Sequence, residues 1–139
     1  MIKLLFRVSV SLALVGIILG IVMGIRQDFT LMPAHAHLNL LGFVTLFLSA
    51  LYYRAVPEAA ASRLAPYQVV VSVAGAVVFP IGIASVLLGG HDRFEPLVVG
   101  GALTVLLGKA LFAVIVFRTS RTDDARRGRT GGRELPVRK

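Results

Sequence analysis

The chain is divided into long apolar segments by short polar connections. Four apolar segments run over about residues 4–25, 31–53, 67–88 and 96–117. Each has about the 20 residues that an α-helix needs to cross a bilayer. Apolar and polar positions do not alternate with a period of two, and open sheet edges would be unsatisfied in lipid. The pattern therefore predicts an all-α membrane protein, with residues 1–117 forming a four-transmembrane-helix bundle.

Composition supports this prediction and narrows the chemistry. The mean hydropathy is +0.82 and only 16% of the residues are charged, which separates the chain from ordinary soluble domains. Cysteine is absent from the sequence, so disulfides, iron-sulfur clusters and thiolate ligation are excluded. The remaining soft nitrogen ligands are the three histidines, His35, His37 and His91.

The net charge of +8 is concentrated after the last apolar segment. Residues 118–139 hold eight basic residues against three acidic ones. Basic residues that directly follow an apolar segment are typical of a cytoplasmic flank, so we expect contact with lipid headgroups rather than with nucleic acid. The tail lacks apolar periodicity, so residues 118–139 are predicted to be disordered.

Basic residues in the connections predict the orientation. They occur before the first segment, in the second connection and in the tail, at Lys3, Arg7, Arg54, Arg63 and residues 118–139. The other two connections, "RQD" and "HDRFE", are balanced or slightly acidic. Both termini should therefore be cytoplasmic, in a multi-pass protein of the bacterial inner membrane.

The first apolar segment is longer than the apolar part of a secretory signal, so we expect it to be retained as a helix. It contains Gly16, Gly20 and Gly24, a repeated small-xxx-small pattern that permits close approach of a neighbouring helix. In the third segment Pro80 predicts a kink, and Gly75 and Gly82 leave room for a neighbouring helix or a flat macrocycle.

The second apolar segment opens with "LMPAHAHLNLLGF" over residues 31–43. Thr30 is a plausible N-cap for this helix, and Pro33 suits its first turn. His35 and His37 then lie roughly 6 to 10 Å below the helix start, inside the outer leaflet. A polar side chain at that depth faces the bundle interior or marks a functional site.

The spacing of the two histidines limits how they can bind. Two residues on an α-helix span about 200° of rotation, so His35 and His37 point to nearly opposite sides. On an unbroken helix they cannot bind one ion together, and each must serve a different neighbour. A second ligand comes either from His91 within the chain or from another copy, which is the physical reason to expect an oligomer.

Each of these residues also has a purely structural interpretation. Interfacial histidines are commonly hydrogen-bonded structural residues, and we favour that interpretation for His91. For His35 and His37 we favour ligation, because two buried imidazoles beside Asn39 carry a desolvation cost. Asn39 lies one turn below His35, where it can orient the imidazole or bond to another helix.

The segment "HAHLNLLG" resembles the tenth helix of subunit I of the heme-copper oxidases, in which a His-x-His pair ligates two different hemes. The chain looks like the small stand-alone four-helix relatives of that subunit, over about residues 2–117. The resemblance implies heme b, held by His35 and His37, and a four-helix unit equivalent to one of the subunit's three arcs. Three copies would then form a ring, so a homotrimer is expected ahead of a dimer.

The resemblance also implies two candidate anion partners and one missing site. Arg93, in "GGHDRFEP", occupies a place similar to that of the family's propionate-binding arginines, and Arg26 is a second candidate by charge and position. The chain has no adjacent histidine pair for copper, and Tyr52 and Tyr53 lie at the wrong end of their helix for an active-site tyrosine. A complete oxygen-reducing site is therefore not expected.

Lys109 lies within the fourth segment, where its amine can snorkel about 6 Å or more toward the cytoplasmic interface. A proton relay is the alternative, but no Asp or Glu occurs within any of the four segments to serve as its partner. This absence also argues against a proton pump or a cation transporter.

Three functional hypotheses follow from these residues. The first is a b-type heme protein for electron transfer or small redox chemistry, with His35 and His37 as axial ligands and an unidentified redox partner. The second is a heme-free copper or zinc site of His35, His37 and His91, in metal handling or oxidase assembly. The third is a structural accessory subunit whose histidines bind nothing.

Overall fold

The computed structural model describes the backbone of residues 1–131 and the side chains of residues 1–90 and 93–120. These residues form four long helices and contain no strand. The long helices are α1 (Ile2–Arg26), α2 (Met32–Ala55), α3 (Ala65–Gly89) and α4 (His91–Gly131). A short helical turn at Pro57–Ala60 lies in the connection between α2 and α3.

Each of the four helices is long and apolar enough to cross a membrane. The chain is accordingly an all-helical, multi-pass membrane protein, which confirms that part of the sequence prediction. The main difference lies in α4, which continues beyond the predicted end at residue 117 to Gly131. Apolarity set the predicted end, and the helical backbone continues into a polar stretch that hydropathy does not detect. Residues 132–139 of the predicted disordered tail lie outside the described residues.

The start of α2 differs from the predicted cap. The amide and the hydroxyl of Thr30 both donate to Oδ1 of Asp28, at 3.0 and 2.6 Å, so Thr30 closes a turn of the connection instead of capping the helix. These two hydrogen bonds hold the pKa of the exposed Asp28 carboxyl below its ordinary value. The helix begins at Met32, with Pro33 in its first turn as predicted.

The middle of α2 is not α-helical, contrary to the expectation of an unbroken α-helix. Residues Leu38–Thr45 form a π-helical segment, and α-helix resumes at Leu46. Hydropathy measures how apolar a segment is, and it does not reveal whether the backbone hydrogen bonds follow the α or the π pattern. Such segments are uncommon and occur frequently at functional sites. Here the segment directly follows the two histidines.

Glycines set the packing between successive antiparallel helices. On α1, a Cβ at Gly16 would meet the side chain of Asn39, and one at Gly20 would meet His35. Between α3 and α4, a Cβ at Gly75 would lie 3.0 Å from the backbone of Val105. A Cβ at Gly101 would meet the backbone of Phe79 in the same way. These glycines therefore allow close contact between helices. They include Gly75, for which space for a flat macrocycle was the alternative prediction.

The four helices follow one another in an open row. The helix α2 packs against α1 and α3, and near its end Tyr52 also meets Thr119 and Phe112 of α4. The helix α3 packs along α4, whereas α1 barely touches α3 and does not lie beside α4 among the described residues. The predicted bundle is therefore not closed. The hydropathy pattern predicted a four-helix bundle without an order of packing, and in a membrane lipid can cover the apolar outer faces of an open arrangement.

The best-packed region lies at the end of the molecule where α1 begins. Its buried residues come from all four helices and from the α2–α3 connection: Leu5, Leu46, Ala50, Tyr53, Ala59, Ala65, Val69, Ala76 and Ile115. The His-x-His segment lies at the opposite end, where α1 and α3 separate. The buried core thus lies at the end opposite the histidines.

Candidate histidine site

His35 is seated against α1. Its Nδ1 lies 2.9 Å from the carbonyl oxygen of Gly16, and a Cβ at Gly20 would lie only 2.9 Å from its Cε1. The ring is partly buried and fills the space that the two glycines leave. The small-xxx-small pattern of α1 therefore accommodates the imidazole of His35. The pattern alone does not reveal this partner.

The contact with Gly16 also selects the tautomer of His35. A carbonyl oxygen can only accept, so Nδ1 must carry the proton to form the 2.9 Å hydrogen bond. The amide nitrogen of Asn39 approaches the same Nδ1 only to 3.4 Å, and it donates at 3.0 Å to the carbonyl oxygen of His35. In the neutral ring, Nε2 is then left with a free lone pair.

His37 faces the opposite neighbour. Its ring meets Phe79 of α3 edge to face, with centroids 5.0 Å apart and planes at 84°. Its Nδ1 lies 2.8 Å from the carbonyl oxygen of Pro33, one turn earlier in α2. By the same reasoning Nδ1 carries the proton, and Nε2 of the neutral ring keeps its lone pair.

The two imidazoles therefore share one arrangement on two different sides of α2. As predicted, they face different helices, with His35 against α1 and His37 against α3. In each, a main-chain carbonyl binds Nδ1–H and fixes the ring. Histidines that ligate metals characteristically donate their second ring N–H to such a carbonyl or to a carboxylate, which orients the ring and makes the free nitrogen more basic.

A groove runs beside this segment, between α1 and α3. Its apolar part has a volume of about 230 Å³ and a floor formed by Ala34 and Leu38, the residues that bracket the two histidines in sequence. Its walls come from α1 and α3: Leu12, Val15, Leu19, Val77, Pro80, Ile81 and Ala84. Pro80, which was predicted to kink α3, thus lies in a wall of this groove.

A second cleft continues the groove toward the end of α1. It has a similar volume, shares Leu19 with the apolar part, and is lined at its far end by Arg26 and Asp28. The wall residues of the two clefts follow one another at helical spacing, for example Ala84 and Leu88 on α3. Together they form an amphipathic groove with an apolar body and the oppositely charged side chains of Arg26 and Asp28 at one end.

Neither of the two imidazoles lines this groove, nor does Arg93, whereas Arg26 does. Arg93 is exposed, and its guanidinium carbon stacks 5.6 Å from the ring of Phe94. The side chain of His91 lies outside the described residues, so the copper or zinc set that includes it stays a prediction. Among the side chains that the structure describes, no three histidines, aspartates or glutamates gather into a metal-binding group.

Sequence reasoning missed the partners of the imidazoles. The carbonyl groups of Gly16 and Pro33 carry no side-chain signal, and Phe79 is one of many apolar residues in α3. The glycine pattern of α1 was visible, but its pairing with α2 depends on the relative height of the two helices. The carbonyl of Pro33 could have been anticipated, because it lies one turn before His37 on the same helix face.

These features define the class: a multi-pass membrane protein whose second helix presents two carbonyl-anchored histidines beside an amphipathic groove. Comparisons of the chain with models of protein families, with curated proteins and with solved structures found no match.

Proposed function

We propose that this protein is a b-type heme-binding protein of the bacterial inner membrane that works in electron transfer or small redox chemistry. The observation that carries the proposal is the shared anchoring of His35 and His37. Each ring donates Nδ1–H to a main-chain carbonyl at 2.8 to 2.9 Å and keeps Nε2 for a ligand bond. Axial imidazoles need this tautomer and a fixed ring plane.

The groove supplies a second line of support. A porphyrin is a large apolar plate with carboxylates along one edge, so it requires an apolar cavity that ends in a cation. The groove has an apolar body, and its far end carries the guanidinium of Arg26 beside the carboxylate of Asp28. A guanidinium binds carboxylates with strong, charge-assisted hydrogen bonds. Arg26 is accordingly the better candidate for the propionates, and Arg93 the second.

Bound heme would supply a one-electron carrier, and the chain would supply the ligands and the dielectric that set its potential. The resemblance of "HAHLNLLG" to the heme-copper oxidases agrees with this function but extends to heme binding only. In the orientation predicted from the basic residues, with both termini cytoplasmic, the heme would lie near the periplasmic surface. A periplasmic or membrane-bound electron carrier is then the partner to seek.

An oligomer would complete the coordination. The described residues place His35 and His37 on different sides of α2, so one chain does not offer both to a single iron. The open row leaves outer faces of α1 and α4 free to meet other copies, and we propose a homotrimer that brings histidines of neighbouring copies to shared hemes. The mass of the heme-loaded protein in mild detergent tests this, and a monomer that retains its pigment would contradict it.

The test of heme binding is an optical spectrum. The protein is produced with added heme, purified, and reduced with dithionite. We expect Soret and α bands, and their loss in His35→Ala, His37→Ala or both. His91→Ala is the matched control, because it removes a histidine outside the proposed pair and should leave the bands in place. Absence of bands in the unaltered protein, with zinc or copper found by elemental analysis, would favour the metal-handling hypothesis instead.

A further inference from the structure

A second polar site lies away from the histidines, in the membrane-spanning part of α2 and α4. A cleft of about 290 Å³ opens between these helices and is lined by Thr45, Leu48, Ser49, Tyr52, Lys109 and Phe112. Leu48 is exposed on the outer surface of the row, so the cleft faces lipid. None of these residues belongs to the proposed heme groove.

The depth of Lys109 makes this cleft unusual. At about 1.5 Å per residue, Lys109 lies about 12 Å along the axis from Phe117, where the apolar part of α4 ends. Snorkelling of about 6 Å covers only part of this distance, and the ammonium stays among protein groups. A charged side chain at such depth usually has a counter-charge or a function.

Among the described residues, no carboxylate pairs with this ammonium. The described residues record no hydrogen bond or ion pair for Lys109, and the predicted spans contain no Asp or Glu. A second copy of the chain therefore has no spanning carboxylate to offer either. A carboxylate or phosphate of another molecule is therefore the counter-charge to consider for Lys109.

The neighbouring hydroxyls help the ammonium but cannot neutralise it. The hydroxyl of Ser49 donates to the carbonyl of Thr45 at 2.8 Å, so toward the cleft it presents lone pairs. Thr119 donates to a backbone carbonyl, so the hydroxyl of Tyr52, 3.2 Å away, must donate to Thr119 and also keeps a lone pair for the cleft. These hydroxyls, and that of Thr45 in the same cleft, are neutral, so they leave the positive charge of the ammonium uncompensated.

We propose that this cleft binds an amphiphile with an anionic oxygen headgroup, a carboxylate or a phosphate on an acyl chain. The headgroup pairs with the ammonium of Lys109 and accepts a hydrogen bond from Thr45, while the chain lies along Leu48 and Phe112. Forming a buried ion pair normally costs the desolvation of both charges. Here the ammonium is already out of water in the folded protein, so its desolvation is not an added cost of binding. The proposal does not depend on heme binding.

The experiment uses the full-length protein in a neutral detergent and compares charged with uncharged probes. Binding of oleate is measured against methyl oleate, and binding of phosphatidylglycerol against phosphatidylcholine, by native mass spectrometry. We expect at least one anionic probe to bind about tenfold more tightly than its neutral counterpart, which corresponds to about 1.4 kcal/mol. Preference for oleate alone identifies a fatty-acid carboxylate, and preference for phosphatidylglycerol alone identifies a phospholipid phosphate.

Two lysine variants locate the binding. Lys109→Met keeps the length of the side chain and removes the charge, so it should reduce the anionic probes to the affinity of the neutral ones. Lys3→Met is the matched control at an exposed lysine and should change nothing. Equal binding of charged and neutral probes to the unaltered protein, a result that requires no variant to fold, would overturn the proposal. So would full retention of the charge preference in a folded Lys109→Met.

Discussion

The carbonyl oxygen of Gly16 and Nδ1 of His35 meet at 2.9 Å across the interface of α1 and α2. The hydrogen bond joins two helices and at the same time decides which imidazole nitrogen is free. Within a bilayer such an interhelical bond contributes about 0.6 to 1.7 kcal/mol. Its larger consequence is chemical, because a ring that rotates freely cannot hold a ligand bond in one direction.

The seat of His35 predicts different outcomes for two alanine substitutions on the same helix. A Cβ at Gly20 would lie 2.9 Å from Cε1 of His35, whereas a Cβ at Gly24 would meet open space. Gly20→Ala should displace the ring, weaken its bond to Gly16 and lower the free energy of unfolding by about 1–3 kcal/mol. Gly24→Ala should be neutral or stabilise by up to about 1 kcal/mol.

The measurement for this pair is unfolding in mixed micelles, followed by circular dichroism, together with the heme spectrum of each variant. Loss or shift of the Soret band in Gly20→Ala with an unchanged band in Gly24→Ala is the expected result. Equal stability of the two variants would show that His35 is not seated on Gly20.

The interface of α3 and α4 offers a similar comparison at adjacent positions. A Cβ at Gly101 would lie 2.7 Å from Cα of Phe79, a backbone atom that cannot move aside, whereas a Cβ at Gly100 has nothing within 4 Å. Gly101→Ala should therefore separate the two helices at a cost of about 1–3 kcal/mol, and Gly100→Ala should not. Because Phe79 also contacts His37, Gly101→Ala should in addition disturb that ring.

The check is again unfolding in mixed micelles, with Gly100→Ala as the control for adding a methyl group to α4. If both variants unfold at the same detergent composition as the unaltered protein, the close approach of α3 and α4 at this level is wrong.

The buried polar network at the opposite end predicts a stability effect separate from the histidines. Tyr53 is 1% exposed and donates to Oε1 of Gln68 at 2.9 Å, and Gln68 donates onward to Ser72 at 2.8 Å. Tyr53→Phe removes one donor and leaves Oε1 of Gln68 unpaired, at a cost of about 1–3 kcal/mol. Tyr67→Phe is the control, because Tyr67 is 67% exposed and makes no recorded hydrogen bond among the described residues.

Unfolding of the two tyrosine variants is compared with that of the unaltered protein, and the heme spectrum should be retained in both. A cost for Tyr67→Phe equal to that for Tyr53→Phe would contradict the assignment of the network. Each variant removes one tyrosine hydroxyl. The two hydroxyls differ in burial, because Tyr53 is buried and Tyr67 is exposed.

The sequence predicted the four helices because their signal is local. An apolar run of about 20 residues needs no knowledge of its neighbours to be recognised. It also predicted that His35 and His37 face different helices, since their angular separation follows from helix geometry alone. The sequence did not predict which helices pack against each other. An open row and a closed bundle have the same hydropathy, and the difference depends on contacts between helices.

The parts of the site that the sequence left open are the non-local ones. The pairing of Gly16 with His35 depends on the height of α1 relative to α2, and the contact of Phe79 with His37 depends on the position of α3. The π-helical segment after the histidines carries no compositional signal either. Thr30 was assigned to capping by residue type, but Asp28, two residues earlier, competes for its hydroxyl and its amide.

The two arginines at the histidine end of the molecule give the sharpest test of how heme would be oriented. Arg26 lines the cleft that continues the apolar groove, whereas Arg93 stacks on Phe94 and does not line it. Arg26→Gln should weaken heme binding about tenfold or more, because a charge-assisted hydrogen bond contributes about 1.5–3 kcal/mol. It should also lower the heme midpoint potential, since a nearby cation stabilises the added electron. Arg93→Gln should leave both quantities unchanged. Heme titration and a potentiometric titration of each variant make the comparison, and a larger effect at Arg93 than at Arg26 would place the propionates at the start of α4 and exclude the groove.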